Sequence, residues 1–539
     1  MHAFADLLER LLLTPSRNGK LALLTAHFRS QPDPERGWAL AALTGGLDLP
    51  GVKAGMVRRL VEARVDEGLF RLSYDYVGDL AETVSLIWPP VHGANRIPEL
   101  SEVIDGLTGA TRVQAEAQIE AWLDALDPKG RWALLKLVTG GLRVGVSARL
   151  AKLAAAQFGD VDPADIEEIW HGLSAPYVDL FAWLDGHADR PAPDIAAPFR
   201  PVMLAHPLVP KDKRDDPNAV DPALIRPDAF AAEWKYDGVR VQAVSERGEK
   251  RLYTRTGDDI SRSFPDVLEG MVFEGAVDGE LLVRAADGGV APFNDLQQRL
   301  NRKSASQKQL SAFPAFVRAY DLLVDGDDDI RALPFTARRA RLEAFLSKHK
   351  GDRFDLSPLV ALQTLEGLET LSNTPPSPEI EGVMLKRWDS AYQAGRPKGL
   401  WFKWKRDPFL VDAVMMYAQR GHGRRSSVYS DFTFGVWRSG EAGDELAPVG
   451  KAYFGFTDEE LGRLDQFVRE HTVDRFGPVR AVTATKDEGL VLEVAFDGLQ
   501  RSSRHKSGIA MRFPRINRIR WDKPARDADR LETLQALLR

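Results

Sequence analysis

The sequence predicts a multidomain protein with a helical section first, a mixed α+β section next and a β-rich section last. Its 539 residues exceed what one hydrophobic core usually serves and indicate about three domains. Leu and Ala recur at helical spacing early in the chain, strand-like segments follow, and prolines mark the changes between these sections. The predicted domains are residues 1-190, 191-407 and 408-539.

Residues 1-190 are predicted to be all helical, because Leu and Ala repeat with a helical period at 4–13, 115–126 and 150–158. Glycines and Arg143 then come just before the last of these helices. Glycine lets backbone N–H groups approach a phosphate at a helix start, and Arg143 adds positive charge. The alternative is a helix–helix turn without a ligand, where glycine is also common.

The middle section contains Lys235 in the run EWKYDGVR, where aromatic residues flank the lysine on both sides. A neutral amine is a good nucleophile, but at a pKa of about 10.4 almost no lysine is neutral near pH 7. Burial between Trp234 and Tyr236, nearby cations or a metal would each lower the pKa and free the lone pair. The alternative is a strand followed by the common Asp-Gly turn.

Charged residues recur downstream of Lys235 in short strand-like segments. Alternation puts Asp278 and Glu280 on one face of a strand. It also puts Lys403 and Lys405 on one face, with Trp404 on the other. Each segment alone is typical of a half-buried strand, but the ordered series predicts several elements lining one pocket. The segments are 252–255, 275–283, 316–324, 381–386 and 401–405.

This series resembles the nucleotidyltransferase motifs of covalent ligases and capping enzymes, in their usual order, and is most similar to ATP-dependent DNA ligases. The resemblance implies an α+β nucleotidyltransferase fold with ATP-grasp-like antiparallel sheets. It also implies that Lys235 attacks the α-phosphorus of ATP and carries AMP. The AMP would pass to the 5′-phosphate of a nick in duplex DNA, and the 3′-hydroxyl would displace it.

The resemblance implies nucleotide contacts for the matching residues. Glu233 would contact the adenine edge and Tyr320 its face, where the family more often has Phe. Arg240 and Arg255 would hold the ribose region and the nick phosphate. The residues implied to neutralise the α-phosphate are Lys386, Lys403 and Lys405.

The resemblance places the catalytic Mg²⁺, or Mn²⁺ in its place, beside Glu280 and Glu381, with Glu280 also close to the nucleotide. Strand alternation alone would put Glu381 and Lys386 on opposite faces. We therefore expect a strand end or a bulge between them.

The end of the chain is locally basic, although the whole chain has a net charge of −6. Nine Lys or Arg residues and one acid, Asp522, lie in residues 499–526, which is typical of a surface that faces a polyanion. Apolar residues interleave the charges, so this segment is predicted to fold.

Residues 511–523 are very similar to the last motif of ATP-dependent DNA ligases, which implies a C-terminal OB-fold β-barrel. Aromatic and β-branched runs between 417 and 496 predict short barrel strands. By the resemblance Arg512 and Lys523 orient pyrophosphate, as do Arg518 and Arg520, and Arg518 also meets DNA. Segment 134–147 resembles the N-terminal DNA-binding domain of the larger ligases, which implies DNA contact by Arg143.

Other nucleotide sites are poorly supported. No phosphate-binding loop of the type GxxxxGK[ST] occurs, and the run at 421–426 lacks the third glycine of a dinucleotide site. Its Arg424 and Arg425 are predicted to meet DNA phosphate or solvent. The chain has no cysteine, which excludes disulfides and a thiolate zinc site. NAD-dependent ligases normally carry a four-cysteine zinc module, so ATP is the expected donor.

The sequence thus predicts an ATP-dependent DNA ligase that acts on nicked duplex DNA, with DNA repair as the expected pathway. No secretion signal or membrane span is predicted, so a cytoplasmic monomer is expected. An RNA ligase or a GTP-using capping enzyme is the first alternative. A non-catalytic nick-binding protein is the second.

Overall fold

The computed structural model describes residues 1–538 except 48, 50–51, 92–95, 141, 193–194, 210–218, 301, 303–304, 350, 422–427, 441–442 and 503–504. Arg424 and Arg425, predicted to meet DNA phosphate, therefore lie outside the described residues. The chain divides into two compact units. One contains residues 164–172 and 192–407, and the other contains 1–163, 173–191 and 408–539.

The first part of the chain is helical, as predicted. Ser16, Asp66, Asp127 and Ser147 each accept a hydrogen bond from the backbone N–H three residues on, which caps the helix that follows. The helices are α1 (His2–Leu13), α2 (Arg17–Ser30), α3 (Glu35–Thr44), α4 (Ala54–Glu62), α5 (Glu67–Val77), α6 (Leu80–Ile87), α7 (Leu100–Leu107), α8 (Arg112–Ala125), α9 (Pro128–Val138), α10 (Ala148–Gly159), α11 (Pro163–Ile169) and α12 (Val178–Leu184).

The helical spacing of apolar residues explains how these helices pack. In α1 the residues Phe4, Leu7, Leu8 and Leu11 follow the i, i+3, i+4, i+7 pattern, and all four are buried. The same argument predicted helices at 115–126 and 150–158, and α8 and α10 confirm both. Among the described residues, no helix is both long and apolar enough to cross a lipid bilayer.

Residues 192–407 form two sheets whose strands include all five predicted segments. The strands are β1 (His206–Pro207), β2 (Phe230–Tyr236), β3 (Val239–Glu246), β4 (Glu249–Thr254), β5 (Gly275–Val283), β6 (Ala315–Asp325), β7 (Asp328–Asp329), β8 (Phe354–Leu356), β9 (Leu359–Val360), β10 (Ile380–Arg387) and β11 (Trp401–Lys405). The helices are α13 (Pro265–Glu269), α14 (Phe293–Gln297), α15 (Gln307–Ala312), α16 (Phe335–Lys348) and α17 (Leu365–Asn373).

The first sheet has the order β1-β11-β10-β2-β9, and the second has the order β4-β3-β5-β6-β7 with β8 beside β6. Only β1 with β11 and β6 with β8 pair in parallel among the described strands, which agrees with the predicted antiparallel sheets. The chain enters the second sheet directly from the first, because β2 belongs to one and β3 to the other. Asp237-Gly238 is therefore a crossover between sheets and not a hairpin turn.

Residues 408–539 form a β-rich section, as predicted, and its described residues also contain the helices α18 and α19, which were not predicted. The first half of β12 pairs with β17 and its second half with β13 and β16. A strand shared in this way must be long, so β12 and β13 have 12 residues each and are longer than predicted. The elements are β12 (Phe409–Arg420), β13 (Tyr429–Gly440), β14 (Gly443–Ala452), α18 (Asp458–Glu470), β15 (Thr472–Phe476), β16 (Val479–Val482), β17 (Val491–Phe496), β18 (Gly498–Arg501), β19 (Ile509–Arg512), β20 (Arg515–Arg520) and α19 (Leu531–Ala536).

The basic C-terminal segment is folded, as predicted. Ile509, Ile516 and Ile519 from β19 and β20 join the core of this section. Phe513 and Trp521, which were counted among its interleaved apolar residues, are instead exposed by 63% and 43%. The segment is therefore anchored in the core by Ile509, Met511, Ile516 and Ile519.

Candidate active site

Lys235 lies near the end of β2, beside the neighbouring strands β10 and β11. Its Nζ is 2.6 Å from Glu381 Oε2, and Lys405 Nζ is 3.2 Å from the same oxygen. Both lysines therefore converge on one carboxylate. Three adjacent strands of one sheet thus bring together side chains that are up to 170 residues apart in the sequence.

A bulge in β10 puts Glu381 in this position. Ile380 pairs with Tyr236 and Gly382 pairs with Lys235, so Glu381 is the extra residue between two pairs. Gly382 has a φ of +149°, and a Cβ there would lie 2.1 Å from the carbonyl oxygen of Trp404. The bulge confirms the irregularity that strand alternation required between Glu381 and Lys386.

The second sheet contributes Glu280 from β5, directly opposite Arg240 on β3. Glu280 interacts electrostatically with Lys235, Glu381 and Arg240. The crossover after Lys235 permits this approach, because a Cβ at Gly238 would lie 2.7 Å from Glu280 Cγ and from the carbonyl oxygen of Leu281. A glycine is therefore needed where the first sheet passes into the second.

Carboxylates control the protonation of Lys235. Burial alone would lower the pKa of Lys235, but the charges of Glu381 and Glu280 outweigh burial and raise it. The expectation that burial or nearby cations would lower this pKa is therefore wrong for the protein without ATP. Burial and the charge of Glu381 raise the pKa of Glu280 to about 7, although Lys235 opposes this shift.

Lys403 on β11 is the centre of a second group of charges. Burial and the positive charges of Lys235, Lys405, Arg396 and Arg255 lower the pKa of Lys403 to about 8. These cations come from separate segments of the chain. Repulsion among them favours an anion in their midst, and phosphate is the anion that such a group of cations binds well.

Glu233 and Lys386 form a buried ion pair on the neighbouring strands β2 and β10. Lys386 Nζ is 2.6 Å from Glu233 Oε2 and donates a hydrogen bond to the Tyr320 carbonyl oxygen at 3.0 Å. The same ammonium lies 4.2 Å from the centre of the Tyr320 ring, and Lys386 as a whole is 1% exposed. These contacts bind Lys386, predicted to neutralise the α-phosphate, to the two residues predicted to meet adenine.

Arg240 is held in a network beneath Tyr320. Its Nη2 donates to Asp278 at 2.6 Å and to the Tyr392 hydroxyl at 3.0 Å, and its Nη1 donates to the Met203 carbonyl. Its Nε is buried and has no hydrogen-bond partner among the described residues. The guanidinium is thus fixed in place with one donor still unused.

Several residues of this site were not identified from the sequence. Tyr392 and Arg396 both lie in the loop after β10. Arg339 lies on α16, and its Nη1 donates to Glu233 Oε1 at 3.0 Å. Asp278 was seen only as the neighbour of Glu280 on a strand face. Arg339, Tyr392 and Arg396 lie outside the five motif segments, so only the tertiary contacts could find them.

The C-terminal residues predicted to hold pyrophosphate lie on β19, β20 and the turn after β20. Lys523 Nζ is 2.7 Å and Arg520 Nη1 is 3.2 Å from Asp412 Oδ2. Arg512 is half-buried and Arg518 is exposed. The structure therefore brings Lys523 and Arg520 together, on an acid that the sequence analysis did not consider.

Arg143, predicted to contact DNA phosphate, is exposed in the loop before α10. Lys20 holds this loop by donating from Nζ to the carbonyl oxygens of Val144 at 2.7 Å and Gly145 at 3.0 Å. Gly145 has a φ of +67°, which favours glycine. Ser147 then caps α10.

The described residues contain no group of three or more acidic or histidine side chains that could hold a metal ion. Glu280 and Glu381 are two carboxylates in one site, however. Mg²⁺ commonly uses one or two carboxylates and completes its shell with water and substrate phosphates. The donor set therefore fits Mg²⁺ bound together with a phosphate ligand.

Two family models match the chain. The model described as "ATP dependent DNA ligase domain" matches residues 217–405, and the one described as "ATP dependent DNA ligase C terminal region" matches residues 425–523. A solved structure named Pmar-Lig_Pre. has the same overall fold, with a TM-score of 0.59 at 16% identity, covering 96% of this chain and 99% of that one.

Curated relatives extend the likeness along the chain. A probable DNA ligase of Koribacter versatilis is 28% identical, covering 100% of this chain and 96% of the relative. A probable DNA ligase of Streptomyces coelicolor is 33% identical, covering 74% of this chain and 76% of the relative. Together with the intact Lys235 site, these matches establish that the chain belongs to the ATP-dependent DNA ligase family.

Proposed function

We propose that this enzyme seals nicks in duplex DNA through an AMP that Lys235 carries. The observation that supports this role best is the position of Lys235 Nζ, 2.6 Å from Glu381 and beside the cations around Lys403. A nucleophile, two carboxylates and a group of cations are the parts that nucleotidyl transfer requires. A nick-binding protein without catalysis would not need this lysine.

The reaction proceeds in three displacements at phosphorus. The Lys235 ammonium first loses one proton to solvent, and the neutral amine attacks the α-phosphorus of ATP. A P–N bond forms, the bond to pyrophosphate breaks, and the nitrogen loses a second proton and keeps one hydrogen. The 5′-phosphate oxygen of the nick then attacks the same phosphorus and releases Lys235. Last, the 3′-hydroxyl attacks the 5′-phosphorus, a phosphodiester forms and AMP leaves.

The cations around Lys403 hold the phosphates during these displacements. Lys403 and Lys405 neutralise charge on the α-phosphate, and Arg255 and Arg396 extend the positive region toward the nick phosphate. Stabilising charge that develops on phosphate oxygens is the main contribution of such sites. Arg396 is an addition to the set expected from the sequence.

The nucleoside binds on the other side of Lys235. Glu233 accepts a hydrogen bond from adenine, Tyr320 stacks on the ring, and the unused Nε of Arg240 donates to the ribose region. Lys386 supports Glu233 and Tyr320 from behind rather than meeting phosphate.

Glu280 and Glu381 hold the metal, Mg²⁺ or Mn²⁺. A metal held there would supply positive charge beside the two carboxylates that raise the pKa of Lys235 and beside the phosphates of ATP. Without it, Glu381 keeps Lys235 fixed as an ammonium that points into the site.

The chain works as three domains, residues 1-190, 191-407 and 408-539. The changes between compact units at 191/192 and 407/408 support the two boundaries. In the first domain Arg143 contacts DNA phosphate. In the last, Arg512 and Lys523 orient pyrophosphate, and Arg518 contacts DNA. The repair pathway, the cytoplasmic location and the monomeric state remain predictions from the sequence.

The experiment is a nick-sealing assay with a 5′-labelled nicked duplex, Mg²⁺ and ATP, with NAD and GTP as parallel donors. We expect sealing with ATP alone. Lys235→Ala should abolish both sealing and labelling by α-³²P-ATP while retaining DNA binding, and Lys250→Ala, a lysine on β4 without a proposed role, should change neither. Labelling of the Lys235→Ala protein would exclude Lys235 as the AMP carrier.

The alternative of an RNA ligase or a capping enzyme is tested by the same assay. An RNA nick differs by its 2′-hydroxyls, and capping uses GTP. Sealing of an all-RNA nick but not a DNA nick, or labelling by GTP rather than ATP, would favour these enzymes over a DNA ligase.

A further inference from the structure

Arg339 lies on α16, outside every motif segment, and reaches the nucleotide side of the site. Its Nη1 donates to Glu233 Oε1 at 3.0 Å, and its Nε donates to Glu343 Oε1 at 2.8 Å. Glu343 lies one turn along the same helix. The guanidinium is therefore fixed by its own helix before it reaches Glu233.

Two cations hold the Glu233 carboxylate from two directions. Arg339 binds Oε1, and Lys386 Nζ lies 2.6 Å from Oε2. Glu233 is 2% exposed, so both oxygens are shielded from water. Lys386 takes up one direction at Oε2, and a carboxylate offers about four lone-pair positions, so further donors can still bind Glu233.

The Glu233 carboxylate limits which purine base can bind beside it. An ionised carboxylate is only an acceptor, so it needs an N–H or O–H donor. A purine with a 6-amino group offers that donor, whereas a 6-oxo purine presents an oxygen that the carboxylate repels. A site with a fixed polar group rejects a ligand that leaves the group unpaired.

We propose that Arg339 is a positioning residue that, together with Lys386, holds Glu233 as a fixed acceptor and so makes the site select 6-amino over 6-oxo purine nucleotides. The inference rests on the proposed function, in which Glu233 meets the base. It assigns the selectivity to a helix residue that acts through Glu233 and does not touch the nucleotide.

The test compares self-adenylylation with α-³²P-ATP and labelling with α-³²P-ITP, whose base has a 6-oxo group. We expect the parent enzyme to favour ATP in kcat/KM by about a hundredfold or more. Arg339→Gln should lower this preference by about tenfold, mainly through a higher KM for ATP, because Glu233 is no longer held in one place. Arg339→Lys should lower it less, since one ammonium restores charge but cannot bind Glu233 and Glu343 together.

Arg341→Gln is the matched control. Arg341 lies on the same helix and binds Asp325 and Asp328 near the surface, so its loss changes charge and helix contacts without touching Glu233. We expect it to leave the preference for ATP unchanged. Equal losses with ATP and ITP in Arg339→Gln would mean that Arg339 is merely structural, and this would overturn the proposal.

Thermal unfolding of each variant separates folding from selectivity. If Arg339→Gln does not fold, Arg339→Lys decides, and an unchanged preference for ATP in that variant would also overturn the proposal. A double variant, Glu233→Gln with Arg339→Gln, should discriminate no worse than Glu233→Gln alone. Failure of the parent enzyme to become labelled by ATP would contradict the proposed function, which is a separate result.

Discussion

At the scale of single residues, charge partners decide the behaviour of Lys235 more than burial does. The two nearest carboxylates, Glu381 and Glu280, raise the pKa of a lysine that burial would otherwise lower. The enzyme without ATP therefore holds its nucleophile in the protonated, unreactive form. Attack on ATP then depends on ligands that neutralise those carboxylates, which prevents a free amine from reacting before the site is filled.

Lys403 gives a pH prediction at this scale. Its pKa of about 8 lies below the ordinary value, so its positive charge is present below pH 8 and is lost as the pH rises through 8. We expect the KM for ATP in self-adenylylation to rise by up to about tenfold between pH 7 and pH 9, since most of the charge is then gone. Lys403→Arg, which stays charged, should remove this rise. An equal rise in both proteins would assign the titration to another group.

At the scale of elements, two backbone irregularities build the site. The bulge at Glu381 turns a carboxylate toward Lys235, and the crossover at Asp237-Gly238 brings β5 with Glu280 close to the same lysine. Strand alternation predicted the need for the first irregularity. The sequence left the second open, with a hairpin turn as the alternative, because an Asp-Gly pair looks the same whether the flanking strands pair or separate into two sheets.

Gly238→Ala tests the crossover. The added Cβ would lie 2.7 Å from a backbone oxygen that cannot move freely, so the two sheets must separate locally. We expect a loss of stability of about 1–3 kcal/mol and a fall in self-adenylylation of about tenfold or more. Thermal unfolding and α-³²P-ATP labelling measure the two effects.

Gly351→Ala is the control, because a Cβ there would meet the Gly270 carbonyl oxygen only at 3.9 Å. Gly351 is also remote in sequence from the crossover. Its stability and labelling should match those of the parent enzyme. Full activity in Gly238→Ala would show that Glu280 does not need this close approach.

At the scale of the whole molecule, different parts of the chain are proposed to act in different steps of the reaction. Pyrophosphate leaves only in the first step, so residues proposed to orient it matter only there. Arg512→Ala should therefore slow self-adenylylation by about tenfold or more while sealing of a nick that already carries AMP falls much less. Single-turnover assays with ATP and with pre-adenylylated DNA separate the two rates.

Arg501→Ala is the control for Arg512, because it removes an exposed cation from the strand paired with β19. Both steps should keep nearly the parent rates in this variant. Equal losses of both steps in Arg512→Ala would contradict its pyrophosphate role and indicate a role in DNA binding or in folding.

The sequence by itself determined the order of helical, mixed and β-rich sections and the strands that carry the charged residues, and it singled out Lys235 as the proposed nucleophile. Periodicity and local motifs were sufficient because these features depend on neighbours in the chain. Only the tertiary structure decided which partners surround each charge. It pairs Lys386 with Glu233, brings Arg339 to Glu233 and Arg396 close to Lys403, and raises the pKa of Lys235. Electrostatic interactions depend on distances in space, and strands far apart in sequence set those distances.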